Sequence, residues 1–337
     1  MIRELLENAL LTRQTLLEQL HEEGTDCYRL FHGAIEGVPG CTIDRYGPIL
    51  LVQTWRDPLP PATLEAIAST ANTTLNLSLH TVWNHRAHSR GGGPPAFHTW
   101  HDPGALPECL GHELGLTYDV RPRHRGTDPL LFLDFRVGRR RIQHAGASTV
   151  LNLFAYTCGA GIVAAAAGAR EVWNVDFSPG ALNFGTRNAE LNGLTVGQGF
   201  RIIREDVFPV VRQLAGLPIG GRRSIRRRRP LAVAPHAFDL VILDPPRWAK
   251  SAFGTVDVIR DYASLFKPAV LSTRPGGAIL ATNNVASVNP DEWSDTMVRC
   301  ARKIGRSVRS VEFLSPEADF PSPDARPATK IAWFIVD

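Results

Sequence analysis

The chain of 337 residues lacks any apolar run of the roughly 18–20 residues that a membrane-spanning helix needs. Its first residues also lack the pattern of a signal peptide, because Glu4 and Glu7 interrupt a segment that such a leader keeps apolar and basic. Five widely spaced cysteines without a Cys-x-x-Cys pair argue against a zinc ribbon and suit a reducing compartment. We therefore expect a cytoplasmic protein without disulfides and without a membrane partner.

A broad basic character is absent as well. The net charge of +4 depends on one run, Arg222–Arg229, which holds six of the 37 basic residues, and without it the acidic residues slightly outnumber the basic ones. Any surface for nucleic acid must therefore be local. Because runs of like charge are usually solvated, we expect a solvated insertion over residues 218–235, with a phosphate-binding anchor as the alternative.

A metal site is not expected either. Residues 85–111 are rich in His, Gly and Pro and are predicted to form a loop. The four histidines of this segment, His85, His88, His98 and His101, have the spacing of possible zinc ligands. No thiol or carboxylate lies between the first and the last of them, so the pattern is a weak indication of zinc and we expect no metal.

Hydrophobic periodicity divides the chain into two domains, over 1–125 and 126–337. The first begins with an amphipathic helix over 2–20 and continues with alternating apolar and polar positions over 27–55. A helix near 60–74, a strand near 79–83 and a hairpin strand over 113–122 complete a small α+β domain. The second alternates strands and helices, which predicts an α/β domain with a mostly parallel sheet between two layers of helices. Its predicted strands are 149–154, 171–176, 200–206, 238–244, 277–283 and 330–336, and its predicted helices are 160–168, 179–191, 207–215, 257–273 and 290–305.

The carboxyl ends of consecutive strands in the second domain carry a glycine turn and three acids. The turn runs from Asn152 to Gly161 and does not contain Gly-x-Gly-x-x-Gly, so it lacks the phosphate loop of a nicotinamide dinucleotide fold. Asp176 can accept hydrogen bonds from a ribose diol, and Asp206 is placed for an adenine amino group. One acid at each strand end without a phosphate loop suits an adenosine ligand that carries no phosphates, such as S-adenosylmethionine. For Asp176 alone, the alternative is a role at the start of the following helix.

The fourth of these strands ends in Asp244-Pro245-Pro246, followed two residues later by Trp248. Each proline fixes its own φ, and Pro246 keeps Pro245 out of the helical region, so the chain leaves the strand in one rigid direction. Rigid loops at the carboxyl ends of strands are where α/β proteins bind ligands. The alternative is an ordinary strand terminator.

The order of glycine turn, ribose acid, adenine acid and Asp-Pro-Pro resembles class I S-adenosylmethionine-dependent methyltransferases. Among them, the chain closely resembles the large-subunit (23S) ribosomal RNA methyltransferases, which join a small α+β domain to a class I catalytic domain. The matching segments are Tyr28–Leu30, Gly37–Gly40, Ile43–Tyr46, Val52–Gln53, Phe132–Arg136, Leu151–Thr157, Arg187–Asn188, Leu191–Leu194 and Asp244–Pro246.

This resemblance implies a Rossmann-like, seven-stranded, mostly parallel sheet with an antiparallel C-terminal strand, S-adenosylmethionine as cofactor and ribosomal RNA as substrate. It places Asp134 and Arg136 on the side of the cofactor, with a surface ion pair as their alternative. The residues expected to bind the cofactor are Asp134, Arg136, Asn152, Phe154, Tyr156, Gly159, Gly161, Asp176, Phe177, Ser178, Asn188, Asp206 and Asp244.

Two branches of the resembled family differ in the atom that they methylate. Methylation of cytosine C5 needs a thiolate that adds to C6, and members of that branch carry Ser-Cys-Ser at the end of the fifth strand. This chain has Ala281–Asn284 there, without cysteine, and guanine N7 needs only positioning against the methyl sulfonium. We therefore expect the guanine-N7 branch, although Arg247–Ser251 stands where that branch has Thr-Phe-Ser-Asn-Ser.

The residues expected to act on the substrate are Asp244, Pro245, Pro246, Trp248, Asn283 and Asn284. Trp248 is expected to stack on a flipped base, and Asn283 and Asn284 to hold their loop or read the guanine edge. The alternatives are a cytosine-C5 methyltransferase, a small-molecule methyltransferase and a non-catalytic RNA-binding factor. An open basic face that would favour RNA is predicted from Arg86, Arg90, Arg121, Arg123 and Arg125.

Overall fold

A computed structural model describes residues 2–87, 96–101, 109–122, 128–197, 199–219, 231–251, 254–257, 259–322 and 327–337. The chain forms two compact units. The first unit contains Met1–Arg136 and Pro316–Arg326, and the second contains Val137–Ser315 and Pro327–Asp337. The first unit thus continues beyond the predicted boundary at residue 125 and takes in a later segment that no local pattern in the sequence distinguishes.

The first unit begins with two helices, α1 (Ile2–Thr12) and α2 (Gln14–Glu22), where the sequence predicts one. They are separated at Arg13, whose guanidinium donates to the Ala9 carbonyl at 3.2 Å and to Glu36 at 2.7 Å. The third helix, α3 (Pro61–Leu75), starts with proline in its first turn. Leucines of α1, α2 and α3 pack on one face of the sheet and form the core of this unit.

The sheet of the first unit has the order β1-β2-β3-β4-β5. Its strands are β1 (Cys27–Phe31), β2 (Cys41–Tyr46), β3 (Ile49–Thr54), β4 (His80–Ala87) and β5 (Ala96–His101). All neighbours are antiparallel except β3 and β4. The prediction of a loop over 85–111 was wrong at β5, because its pairing with β4 is a long-range contact. A hairpin follows, made of β6 (Leu110–Glu113) and β7 (Leu116–Asp119).

The second unit is a seven-stranded α/β sheet in the order β10-β9-β8-β11-β14-β16-β15. Its strands are β8 (Thr149–Leu153), β9 (Glu171–Asp176), β10 (Phe200–Arg204), β11 (Phe238–Leu243), β14 (Thr273–Asn283), β15 (Val308–Phe313) and β16 (Lys330–Val336). Five strands pair in parallel, and β16 runs antiparallel to both of its neighbours, so six of the seven strands share one direction. This arrangement is the class I methyltransferase fold and confirms the predicted fold class.

The second unit has six helices among its described residues, and all but the first, which was not predicted, lie close to their predicted positions. They are α4 (Arg136–Gln143), which begins at the unit boundary, α5 (Gly159–Ala166), α6 (Pro179–Leu191), α7 (Val207–Leu214), α8 (Ala263–Leu271) and α9 (Pro290–Arg302). Helix α8 starts later than predicted, because a short hairpin of β12 (Trp248–Ser251) and β13 (Gly254–Asp257) precedes it. None of the helices in the described part of the chain is long and apolar enough to cross a membrane.

The sequence does not reveal β15, because this edge strand mixes exposed and half-buried side chains and has no continuous apolar run. The buried side chains of β11, β14 and β16 pack against those of α7, α8 and α9 and form the core of the second unit. Because β8, β9, β10, β11 and β14 pair in parallel, their carboxyl ends, with the predicted acids, lie at one end of the sheet.

Candidate active site

The turn between β8 and α5 is the most strained backbone in the described chain. Phe154, Tyr156 and Cys158 all have positive φ, at 60°, 50° and 62°, although none of them is glycine. Left-handed residues of this kind cost about 1–3 kcal/mol each and persist where the surroundings hold them, often at ligand sites. The strain marks this turn as a candidate binding loop.

Asp176, the last residue of β9, holds that turn in place. One carboxylate oxygen accepts from the Tyr156 amide at 2.9 Å, and the other accepts from the Ser178 amide at 2.8 Å. Burial raises the pKa of Asp176, while backbone amides, including that of Phe177, oppose the rise. Ser178, not Asp176, caps α6 by accepting from the Ala181 amide. The alternative role considered for Asp176, capping of the following helix, therefore belongs to Ser178.

A buried amide pair lies beneath the start of α5. The Asn152 side chain donates to the Asn174 side-chain oxygen at 2.9 Å, and both residues are buried. A Cβ added to Gly161 would lie 2.0 Å from that oxygen, so only glycine lets the helix approach β9 this closely. Sequence reasoning missed Asn174, whose signal is a polar residue in the middle of an apolar strand, two residues before Asp176.

Asn188 and Cys158 fasten the other side of the turn. The Asn188 side chain, fully buried in α6, donates to the Thr157 carbonyl at 3.1 Å. The Cys158 thiol is buried so close to α6 that a Cβ on Gly185 would approach its sulfur to 2.5 Å. Burial raises the pKa of Cys158 far above its ordinary value. The structure thus confirms that Cys158 fills a tight turn.

Two further residues lie where an adenosine is expected. Phe177 leaves 57% of its surface exposed directly after Asp176, which makes its ring available to a ligand. Asp206 follows β10, and one of its oxygens caps α7 by accepting from the Phe208 amide at 3.0 Å. Capping accounts for an acid at Asp206 without a ligand, so its contact with adenine stays a prediction, as does the role of Phe177.

Asp244 is held by a residue that sequence reasoning missed. The Thr282 hydroxyl, at the end of β14, donates to the Asp244 carboxylate. The Tyr262 hydroxyl in turn donates to the Thr282 carbonyl at 2.7 Å. Burial raises the pKa of Tyr262, and the nearby charge of Asp244 raises it further. The ends of β11 and β14 are therefore joined by side chains. After Asp244, Pro245 is buried and Pro246 is exposed.

Asn283 and Asn284 have different surroundings. Asn283 is buried, and its side-chain oxygen accepts from the Val285 amide at 3.1 Å. Asn284 is exposed. Of the two expected roles, holding the loop therefore belongs to Asn283, and contact with a base can belong only to Asn284 in this conformation. The side chain of Trp248 is outside the described part, and its stacking on a base stays a prediction.

Asp134 and Arg136 lie in the first unit. Arg136 is fully buried, and its guanidinium donates to the Asp319 carboxylate and to the Cys27 carbonyl. Asp134 lies half-buried in the turn Leu133–Phe135. The alternative of a surface ion pair is wrong for Arg136, whose ion pair is buried. The expected contact of either residue with the cofactor stays a prediction.

The weaker sequence patterns, the histidines and the scattered arginines, lie only partly within the described residues. His85 bonds to Thr54 at 2.8 Å and stacks on Trp83, and no metal-binding cluster occurs among the described residues. His88, Arg90, Arg123, Arg125 and the run Arg222–Arg229 lie outside the described residues. Of the predicted basic face, Arg86 pairs with Asp128 and Arg121 with Asp119, so these two charges are balanced locally.

The strand order, the strained turn and the acids at the strand ends together define a class I methyltransferase. The model of the S-adenosylmethionine-dependent methyltransferase family matches residues 28–335. The chain belongs to this family and is an S-adenosylmethionine-dependent enzyme, as the sequence predicts.

Relatives and solved structures agree with this membership. The chain is 26% identical to ribosomal RNA large subunit methyltransferase I of Klebsiella pneumoniae, over 89% of this chain and 70% of that protein. It is 28% identical to the protein of the same name from Aeromonas salmonicida, over 91% and 73%. A methyltransferase crystal structure in complex with S-adenosylhomocysteine has the same fold, with a TM-score of 0.77 and 22% identity over 99% of this chain and 80% of that one.

The expected branch is not supported by these comparisons. The relatives are named large subunit methyltransferase I, and that name does not specify guanine N7. The family is therefore confirmed and the guanine-N7 branch is not, and the alternative of cytosine C5 fits these relatives better.

Proposed function

We propose that this enzyme methylates RNA, with ribosomal RNA of the large subunit as its substrate. The observation that carries the proposal is the similarity to ribosomal RNA large subunit methyltransferase I along about nine tenths of the chain. A cytoplasmic location fits this substrate and stays an expectation.

The residues at the strand ends suit methyl transfer to a base. The turn Phe154–Cys158 and Asp176 would bind the cofactor, which supplies an electrophilic methyl group when bound. Asp244, fixed by Thr282, directly follows β11, and Asn284 directly follows the neighbouring strand β14. Transfer in line needs the acceptor atom to be held in the correct orientation, which rigid side chains accomplish by removing rotational freedom beforehand.

The positions of the cysteines bear on the acceptor atom. Cys27, Cys41 and Cys109 are buried in the first unit, and Cys300 lies in α9. Cys158 is buried behind the strained turn with a raised pKa, so it is a thiol rather than the thiolate that C5 chemistry needs. These positions favour an acceptor with its own lone pair, such as guanine N7, over cytosine C5.

Mass spectrometry of ribosomal RNA decides both substrate and atom. We expect large-subunit RNA from a strain lacking this gene to lack one methylated nucleoside, and the purified enzyme to restore it with S-adenosylmethionine. Recovery of 7-methylguanosine would support the proposal in full. Recovery of 5-methylcytidine would keep the substrate and change the atom, and unchanged RNA would remove the proposed function.

Replacing Cys158 by serine tests the nucleophile separately. Because Cys158 only fills a turn, we expect Cys158→Ser to keep activity within about tenfold, the range of a modest packing change. The measurement is transfer of a tritiated methyl group to ribosomal RNA, with RNA containing 5-fluorocytidine as a trap. A covalent complex with the trap in the wild type, lost in Cys158→Ser, would show that a thiolate acts after all.

Deleting residues 222–229 tests the arginine run. As a solvated insertion, it should leave the affinity for RNA and its salt dependence nearly unchanged. If the run binds phosphates instead, each lost contact should flatten the slope of log affinity against log salt by about 0.7–0.9. Filter binding at several salt concentrations measures that slope, and a clear flattening would favour the anchor.

A further inference from the structure

Lys330 occupies a position where the pattern of its strand calls for an apolar residue. It begins β16, and Ala332, Phe334 and Val336, which follow on the same face, belong to the core of the second unit. Only 4% of Lys330 is exposed. Burying an ammonium group is costly unless its donors are satisfied, so a lysine here needs a specific reason.

The ammonium group is satisfied by two backbone carbonyls. It donates to the Val285 carbonyl, just beyond β14, and to the Ala328 carbonyl at 3.2 Å, just before β16. No carboxylate among the described residues forms an ion pair with it. Burial lowers the pKa of Lys330, as expected for a cation that has only dipoles around it. Its contacts therefore join the two loops at this end of the sheet.

Val285 is held through both of its backbone groups. Asn283, the direct partner of Lys330 across the strands, accepts from the Val285 amide, and Lys330 donates to the Val285 carbonyl. The same carbonyl accepts from the Val288 amide at 3.0 Å, which closes the following turn. Asn284 lies between these anchors and is the exposed residue.

We propose that Lys330 is a positioning residue that fixes the turn Asn283–Val285, so that Asn284 is presented to the acceptor base. This rests on the proposed function, since Asn284 needs a base to contact. Lys330 itself is buried and does not touch the substrate. Its effect on methyl transfer is therefore exerted through the backbone of Val285.

The first test is hydrogen exchange in the complex with S-adenosylhomocysteine. Lys330→Met keeps the length of the side chain and removes its donors, and we expect amides of 284–289 to exchange about tenfold faster or more, because local opening costs less. Amides of 150–156 should be unchanged. Lys303→Met, on an exposed lysine of the same unit, is the matched control. Unchanged exchange in 284–289 would overturn the proposal.

The second test is a double-mutant cycle on methyl transfer to ribosomal RNA. Lys330→Met should lower kcat/KM for RNA about tenfold and leave the dissociation constant of S-adenosylhomocysteine within about twofold, and Lys330→Arg should restore much of the loss. In the Lys330→Met background, Asn284→Ala should lower kcat/KM little further, because both substitutions disrupt the same contact between Asn284 and the base. The positioning role would be contradicted if the two substitutions lowered kcat/KM in a fully additive way. It would also be contradicted if Lys330→Met weakened binding of S-adenosylhomocysteine as much as it lowered kcat/KM.

The exchange measurement separates this proposal from the proposed function. If the wild type transferred no methyl group to ribosomal RNA, the proposed function would fail, and the exchange measurement would still decide whether Lys330 fixes the turn. If Lys330→Met does not fold, Lys330→Leu, which also removes the donors and suits the apolar face of β16, replaces it in both measurements.

Discussion

Asp176→Ala is expected to weaken binding of S-adenosylhomocysteine by about 10- to 150-fold, because a carboxylate bonded to a ribose diol contributes roughly 1.5–3 kcal/mol. The structure adds a second reason, since the same carboxylate accepts from the Tyr156 and Ser178 amides and so shapes the strained turn. Calorimetric titration measures the dissociation constant.

The two reasons can be separated with a ligand that lacks the 2′-hydroxyl. If Asp176 binds the diol, the substitution should weaken the deoxy analogue much less than S-adenosylhomocysteine. If Asp176 only shapes the turn, both ligands should lose the same affinity. An unchanged dissociation constant in a folded variant would show that Asp176 does not contribute to cofactor binding.

The pH dependence of binding follows from the same carboxylate. Burial raises the pKa of Asp176, so protonation begins at a higher pH than for an exposed aspartate. The diol needs the charged form, and affinity for S-adenosylhomocysteine should therefore fall as the pH decreases through the raised pKa. Asp176→Ala should remove this dependence.

The strand ends of the second unit could be predicted because their signal is local. A run such as Leu240–Leu243 is apolar on both faces, as a central parallel strand requires, and the acid that follows marks its end. The fold class was predicted in this way, and so were the positions of Asp176 and Asp244 at the ends of their strands. Such reasoning finds where a side chain lies along the chain but not which residue it meets.

The partners of these residues could not be predicted, because they come from distant parts of the chain. Thr282 of β14 donates to Asp244, which follows the neighbouring strand β11. Lys330 of β16 donates to Val285, which follows the neighbouring strand β14. A threonine in a strand is ordinary, and nothing in its neighbours in sequence indicates a hydrogen bond to an acid. Lys330 had a weak signal, a charged residue at the start of an apolar strand, which most often indicates a solvated end.

The boundary between the units illustrates the same limit. Residues 316–322 follow β15 of the second unit in the chain, yet they belong to the first unit. Their anchor is Asp319, which is fully buried and accepts from the Arg29 amide at 3.0 Å and from the Arg136 guanidinium. Phe320 packs under the Arg29 guanidinium at 4.4 Å. These contacts also give Arg136 a structural role that the sequence does not reveal.

Asp319→Ala is expected to destabilise the first unit by about 3–5 kcal/mol, because it leaves the guanidinium of Arg136 buried without its closest carboxylate. Glu317, 3.8 Å from Arg136, is 14% exposed and offsets part of this loss, which favours the lower end of the range. Hydrogen exchange of amides in β1 and β2 measures the change in this unit alone. Replacing both partners, as Asp319→Leu with Arg136→Met, should recover at least half of the loss, because an apolar pair leaves no unpaired charge. If Asp319→Ala left exchange in β1 and β2 unchanged, the buried pair would not be what secures Pro316–Arg326 to the first unit.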